Sequence, residues 1–142
     1  MDIAQAAQQV QRSAAGEAYT QHEAQARVTA SVLSGQTHAG LACALEDPTH
    51  AGNPGKVAAL VEKDFGISAD EGRTTVTVRA GDADQAWAVG SWAVARAADT
   101  GAVRVVVGDK EWRRGMSDSA LRWHTVDPEA GADATTVTIH LT

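Results

Sequence analysis

The sequence predicts an α+β fold: a small, mainly antiparallel sheet with helices packed on one face, preceded by a two-helix N-terminal tail. Three stretches predict the sheet. Residues 102–107 are mostly β-branched and lie between two glycines, which is typical of a short strand. Residues 74–79 and 135–141 alternate apolar side chains with threonine. A helix is predicted between the first two stretches, so they form a β-α-β unit.

That helix spans residues 84–99 and is expected to be the most buried one. Asp84 can cap its N-terminus, and Gly101 lies where a C-terminal cap belongs. At 100° per residue one broad face collects small and apolar side chains. These are Ala86, Trp87, Gly90, Ala93, Val94 and Ala97. We expect Trp87, Val94 and Ala97 to contact the sheet.

The N-terminal part predicts two helices, 3–12 and 17–34, both rich in alanine and glutamine. Their apolar stripes are weak, so they need a partner for stability. They are expected to fold back on the rest of the chain or to form a homodimer. The chain starts directly in a helical pattern, which suggests a piece of a longer protein. We therefore divide it into a helical segment 1–35, a linker 36–53 and a domain 54–142.

Asn53 as a cap and the proline that follows it predict a helix over 54–65, which Gly66 ends. The residues expected on its buried face are Val57, Leu60, Val61 and Phe65. After the strand 102–107, a polar hairpin-like stretch runs to Gly115. Residues 121–126 predict a further short strand with Leu121 and Trp123 on the same side.

Composition limits the classes of function. The chain has 142 residues, a formal net charge of −6 and no block of positive charge, which argues against a nucleic-acid or anionic-membrane surface. Hydrophobic residues make up 44% but aromatic ones only 4%, so the four tryptophans are expected to carry much of the burial. The single cysteine, Cys43, cannot form a disulfide within the chain; a partner cysteine outside this sequence stays open.

The five histidines form no recognisable metal motif. His124 and His140 lie on predicted strands and could approach one another, with Asp127 and Asp133 available to complete a site. The preferred interpretation is that these are polar residues facing water. His38 and His50 fall in the predicted linker and are expected to be solvated and inert.

A second cluster combines aromatic and cationic side chains: Trp112, Arg113, Arg114 and Trp123. Flat indoles can stack on sugars or cations, but tryptophans in an alanine-rich domain more often form its core. The candidate ligand-binding residues are therefore Trp112, Arg114, Trp123, His124 and His140. No catalytic residue, metal ligand or cofactor is predicted, because no nucleophile setting or glycine-rich phosphate loop is present.

The string AAQQVQRSAAGEAYTQHEAQARVTASVLSG resembles the closing helices of a lytic-transglycosylase-like, lysozyme-fold domain. That domain occurs in secreted or membrane-anchored actinobacterial cell-envelope proteins, in which a C-terminal domain follows after a linker. The resemblance implies that residues 1–35 are the end of such a domain. The motifs of its catalytic part are not in this sequence.

From Gly72 to Leu141 the chain resembles the C-terminal domain of those proteins, a relative of the zinc D-Ala-D-Ala carboxypeptidase and hedgehog group. The resemblance rests on Gly72-Arg73, SWAVARAADTGAVRVVV, Trp112 and the final TVTIHLT. Zinc-binding relatives carry ligands at the places that Ala69, Val76, Thr138 and His140 occupy here. Only His140 could still be a ligand, so the resemblance implies the fold while the residues argue against zinc chemistry.

We therefore expect a non-catalytic accessory module of an exported, cell-wall-associated protein, which recognises wall material or positions a peptidoglycan-acting domain. Its partner would be peptidoglycan or a cell-wall protein, and its place would be outside the cell or in the envelope. Two alternatives stay open. One is a hydrolase of wall peptides with an unrecognised site, and the other is a purely structural docking or dimerisation domain.

Overall fold

The computed structural model describes residues 16–127 and 132–142, together with residues 3, 5, 6 and 9. The chain divides into two compact units, 1–31 and 32–142. Helix α1 (Gly16–Leu33) supplies most of the described residues of the first unit. It matches the helix predicted over 17–34. Of the helix predicted over 3–12, the four described residues are helical, and the others lie outside the described residues.

The second unit is built on a six-stranded sheet in which every neighbouring pair is antiparallel, and the predicted α+β fold is confirmed. The spatial order is β1-β2-β6-β3-β4-β5. The strand bounds are β1 Ala69–Glu71, β2 Thr75–Arg79, β3 Ala102–Val107, β4 Lys110–Arg113, β5 His124–Thr125 and β6 Thr136–Leu141. The last strand therefore lies between the two strands of the predicted β-α-β unit and pairs with both.

Helices α2 (Pro54–Phe65) and α3 (Ala83–Ala95) pack on one face of this sheet, and the short α4 (Ala97–Thr100) follows. The side chain of Asn53 accepts a hydrogen bond from the backbone nitrogen of Lys56, and Gly66 ends α2 in the left-handed region, as predicted. None of the described helices is long and apolar enough to cross a membrane.

The hydrophobic core lies between these helices and the sheet. Trp87 and Val94 of α3 and Ala97 are buried in it, as predicted, and Val57 and Val61 of α2 join them. Leu60, expected on the buried face of α2, is only half-buried. The strand residues of the core are Val76, Val78, Ala102, Val105, Val107, Trp112, Val137, Ile139 and Leu141.

The N-terminus of α3 differs from the prediction. Its cap is Asp82, whose Oδ1 accepts a hydrogen bond from the backbone nitrogen of Gln85 at 2.7 Å. The Gln85 side chain in turn accepts from the backbone nitrogen of Gly81, the residue before the cap, so two backbone donors are satisfied at this end of the helix. Asp84 lies two positions after the cap, in the first turn of the helix. The helix also ends at Ala95 because Arg96 leaves helical geometry before α4 begins.

The region predicted as a strand over 121–126 is mostly not extended. Residues Asp118–Leu121 form a 3₁₀ turn, and only His124–Thr125 pair with β4. Leu121 is 57% exposed whereas Trp123 packs against the core, so they do not share a buried side. The strand β1 was not predicted, since its sequence ADE has no β-branched residue.

Residues 36–53, predicted to be a linker, have no helix or strand but belong to the same compact unit as the sheet. Leu41, Ala42, Cys43 and Leu45 pack against the core. The nitrogen of Leu45 donates to the carbonyl of Gly115 at 2.9 Å. Residues 36–53 are therefore part of the fold, because their apolar side chains pack against the core and their backbone hydrogen-bonds to the loop that follows β4.

Two glycines permit close approaches to α3. Gly35 has φ of +78°, and a side chain there would overlap the carbonyl oxygen of Asp84. At Gly90 an added Cβ would lie 2.5 Å from Cγ2 of Val107. Because both positions lack a side chain, helix α3 can lie closer to the turn after α1 and to strand β3 than any other residue would permit.

We predict that Trp87→Ala lowers the free energy of unfolding by about 3–5 kcal/mol, the usual cost of truncating a core aromatic side chain. Trp87 is only 6% exposed and lies edge-on to Trp123, with 4.9 Å between ring centroids. Chemical denaturation followed by circular dichroism measures the change. Leu121→Ala is the control and should cost little. An equal, small loss in both variants would mean that Trp87 does not support the core.

We also predict that residues 32–142 fold without residues 1–31, since the second unit has its own core. Removing residues 1–53 should instead lower the melting temperature strongly, because it deletes the carbonyl of Cys43 that accepts from Trp112. Thermal melting of both shortened chains tests this. Equal melting temperatures of the two shortened chains would mean that residues 36–53 are a linker that does not stabilise the domain.

Candidate functional site

The sheet has a second face, directed away from α2 and α3, which we call the polar face. Side chains alternate between the two faces of a strand, so the strand registers define its members. They are Asp70, Thr75, Thr77, Arg79, Arg104, Val106, Glu111, Arg113, His124, Thr136, Thr138 and His140. Threonine, histidine and arginine dominate this set, whereas the opposite face is apolar.

An ion-paired triad lies at the centre of the polar face. Arg104 and Arg113 are direct neighbours across β3 and β4, and Glu111 lies between them in the next row. The Nε atoms of Arg104 and Arg113 each lie 2.5 Å from a different carboxylate oxygen of Glu111. One carboxylate thus separates two guanidinium groups that would otherwise repel each other across the strand pair.

Glu111 is 4% exposed, yet it is held ionised. Burial by itself would raise the pKa of Glu111, but the hydrogen bonds and charges of Arg113 and Arg104 outweigh it and hold the pKa below its ordinary value. A general acid needs a raised pKa and a general base needs an accessible lone pair. The geometry therefore assigns Glu111 to holding the two arginines.

His140 extends the triad onto the central strand. It is the direct neighbour of Arg104 on β3 and of Thr75 on β2. Its Nε2 lies 3.1 Å from Nη1 of Arg104. Because guanidinium can only donate, the Nε2 of His140 accepts in this contact. Thr75, His140, Arg104 and Arg113 thus form one polar row across four strands.

His124 lies at the far edge of the same face, opposite Glu111 on β5. Its Nε2 contacts the carbonyl oxygen of Ser119 at 2.8 Å. Three strand spacings separate β5 from β6, a distance of about 14 Å. The two histidines consequently do not approach one another, and the site that the sequence left open for them is not formed.

The aspartates suggested for that site have other roles. Asp127 is exposed. Oδ1 of Asp133 accepts hydrogen bonds from the backbone and hydroxyl of Thr135 and from the hydroxyl of Thr136. These bonds, the hydroxyl of Thr135 first, hold the pKa of Asp133 below its ordinary value. The carboxylate closes the turn before β6.

Trp112 lies on the opposite, helix-bearing face and is fully buried. Its Nε1 donates to the carbonyl oxygens of Cys43 and Ala120, at 3.1 and 3.0 Å. Arg114 donates to the carbonyls of Glu46, Ala97 and Ala102. These two residues join residues 36–53 to the sheet, so Trp112 offers no surface to a ligand.

Trp123 is half-buried on the helix side. Its Nε1 donates to the carbonyl of Leu41 at 2.8 Å, and its ring packs edge-on against Trp87. His38, expected to be inert, stacks on Trp87 with 5.4 Å between ring centroids and contacts Oδ1 of Asp84 at 2.9 Å. The structure thus divides the five candidate ligand-binding residues between two sides of the sheet.

The four positions that the zinc resemblance singles out also fall on different faces. Ala69 and Val76 pair with helix-facing Val78 and Ile139, whereas Thr138 and His140 are on the polar face. They do not converge on one point. Across the described parts of the chain, no group of three or more histidine, cysteine, aspartate or glutamate residues is placed to hold a metal ion.

Sequence reasoning missed Arg104 and Glu111. A signal was present, because Arg104 interrupts the apolar run 102–107 and Glu111 interrupts the hairpin that follows. A lone charge inside a predicted strand is expected to find a partner when buried. Which partner it finds depends on strand register, which a single sequence does not supply.

The chain matches no protein-family model, no curated protein and no solved structure. Its resemblance to cell-wall proteins therefore rests on the residues quoted above.

We predict that Glu111→Gln lowers the free energy of unfolding at pH 7 by about 2 kcal/mol, because it leaves two guanidinium groups without their counter-charge. The carboxylate has a pKa below its ordinary value in the folded state. The stabilisation by the ionised carboxylate is therefore complete above the pKa that glutamate has in the unfolded chain, about 4.3. It is lost as the pH falls through the lower pKa of Glu111 in the folded state.

Denaturation at neutral and acidic pH tests this, with Glu62→Gln, an exposed glutamate on α2, as the matched control. The difference in the free energy of unfolding between wild type and Glu111→Gln should become smaller in acid. Glu62→Gln should have nearly the same free energy of unfolding as wild type at neutral pH. A difference that does not change with pH would contradict the conclusion that the ionised carboxylate of Glu111 stabilises the fold.

Proposed function

We propose that this chain is a non-catalytic module of an exported, cell-wall-associated protein, and that the polar face of the sheet binds wall material. One observation carries the proposal: hydrogen-bonding and cationic side chains line most of the sheet face opposite α2 and α3. The resemblance to envelope proteins supplies the class of ligand.

Wall peptides carry carboxylates, which guanidinium groups bind with two parallel hydrogen bonds. Arg113 is the most accessible cation of the central row, since its side chain is 62% exposed. Glu111 holds it through Nε, and the rest of the guanidinium can still reach a ligand. His140 and Thr75, both half-buried in the same row, add further hydrogen-bonding groups.

The chemistry of the polar face favours binding over catalysis. Its buried carboxylate is committed to two arginines, and the histidine nearest to it in register contacts a backbone carbonyl. Acid–base work needs a group whose pKa is near the working pH and whose proton can reach the substrate. The two tryptophans suggested for sugar stacking face the core, so the peptide part of the wall is the better ligand than the glycan.

We predict that the protein co-sediments with purified peptidoglycan sacculi and that Arg113→Gln weakens this binding about five- to tenfold, the effect of one charged contact. Lys63→Gln, which removes one positive charge on α2, is the matched control and should bind as wild type does. Circular dichroism verifies that both variants fold.

The same sacculi are then incubated with the protein, with and without added zinc, and the soluble fraction is chromatographed for released fragments. Under this proposal no fragments appear. Fragment release would favour the hydrolase alternative. A chain that forms dimers but ignores sacculi would favour the docking alternative and contradict wall binding.

A further inference from the structure

The charges of the ion-paired triad on the polar face do not cancel. Glu111 carries one negative charge, and Arg104 and Arg113 carry two positive charges. The Nε atoms of the two arginines lie 2.5 Å from different oxygens of the same carboxylate. The triad therefore keeps one net positive charge, although the chain as a whole carries −6.

Arg113 presents most of that remaining charge to the surroundings. The side chains of Arg104 and Glu111 are 23% and 6% exposed, whereas that of Arg113 is 62% exposed. Within the described parts of the chain, the side chain of Arg113 makes its hydrogen bond and ion pair through Nε. Its Nη1 and Nη2 are thus available, and they form an edge of parallel N–H donors that matches a planar carboxylate.

Arg104 holds the opposite side of the Glu111 carboxylate. Its Nη1 also lies 3.1 Å from Nε2 of His140, so groups on β4 and β6 keep it in place. In this shielded position Arg104 acts on a ligand of Arg113 through the carboxylate between them. Without Arg104, the negative charge of Glu111 would offset the charge of Arg113 and repel a second carboxylate.

We propose that a carboxylate of the wall peptide binds end-on to Nη1 and Nη2 of Arg113, and that Arg104 is a positioning residue that neutralises Glu111. The bound ligand completes a series of alternating charges, in the order Arg104, Glu111, Arg113 and ligand carboxylate. Arg104 thereby controls the affinity without touching the ligand. This arrangement depends on wall binding by the polar face, the proposed function, and specifies the chemical group that is bound.

Two substitutions that both break the triad should therefore change binding in opposite directions. Arg104→Gln leaves the triad without net charge, and Glu111→Gln leaves it with both positive charges. The expected order of affinity for purified peptidoglycan sacculi is Glu111→Gln, then wild type, then Arg104→Gln. Each step should be about three- to tenfold, the effect of one unit charge in a partly hydrated site.

A purely structural role of the triad predicts a different result. Each single variant leaves a partner without its counter-charge, so both would weaken binding if the triad only supported the fold. The double variant Arg104→Gln/Glu111→Gln has the same net charge as the wild-type triad and should bind within about threefold of wild type. Arg104→Lys keeps the charge and should lose less affinity than Arg104→Gln.

The test is co-sedimentation of the whole chain and its variants with purified sacculi at low ionic strength, with circular dichroism to verify folding. Lys63→Gln on α2 removes one positive charge outside the triad and is the control. If Arg104→Gln does not fold, Glu111→Gln and the double variant still give the comparison. A second set of sacculi, whose carboxylates have been converted to methylamides by carbodiimide coupling, should not bind the wild-type chain.

The outcomes separate this proposal from the proposed function. A wild-type chain that does not bind native sacculi would contradict wall binding itself. If wild type binds and Arg113→Gln binds more weakly, either of two results would overturn the role of the triad and leave wall binding intact. One is equal binding to native and methylamidated sacculi. The other is a Glu111→Gln variant that binds no more tightly than wild type.

Discussion

The insertion of β6 between β2 and β3 is the constraint on which the rest of the second unit depends. It pairs β6 with two strands that lie far from it in the chain. A shift of this register by one residue would turn Val137, Ile139 and Leu141 away from the helices and turn Thr138 and His140 into the core. The core and the polar face are therefore two consequences of one pairing.

An alanine-rich composition leaves this core short of large side chains, and tryptophan compensates. Trp112 is fully buried, and Trp87 and Trp123 pack edge to face. Their polar ends also organise backbone that has no regular structure, because Trp112 and Trp123 donate to carbonyls of Cys43 and Leu41. Tryptophan thus supplies apolar area and a hydrogen-bond donor together, and residues 36–53 pack against the sheet through both.

Arginine has different partners on the two sides of the sheet. On the polar face the carboxylate of Glu111 pairs with both Arg104 and Arg113, and the exposed side chain of Arg113 remains accessible to a partner. On the helix side Arg96 is oriented by Trp92 and Asp64, and its buried Nε has no hydrogen-bond partner among the described residues. Arginine thus neutralises a buried carboxylate on one side of the sheet and packs on an indole ring on the other.

The sequence by itself determined the parts of the fold that depend on neighbouring residues. Asn53, Pro54 and Gly66 specify α2, glycines bound β3, and the period of α3 identifies Trp87 and Val94 as core residues. The α+β class follows from these elements and from the Val/Thr alternation of β2 and β6. Each of these features acts over a few residues, so a single chain displays it directly.

Only the tertiary structure decided which residues meet. Strand order brought Glu111 between Arg104 and Arg113, separated His124 from His140, and placed Trp112 in the core instead of in a ligand site. The tertiary structure also packs residues 36–53 against the sheet. The composition of this segment is that of a linker, and it does not reveal that its carbonyl groups accept hydrogen bonds from Trp112 and Trp123. Register and the packing of irregular segments are set by contacts between distant parts of the chain, and local sequence patterns carry no record of those contacts.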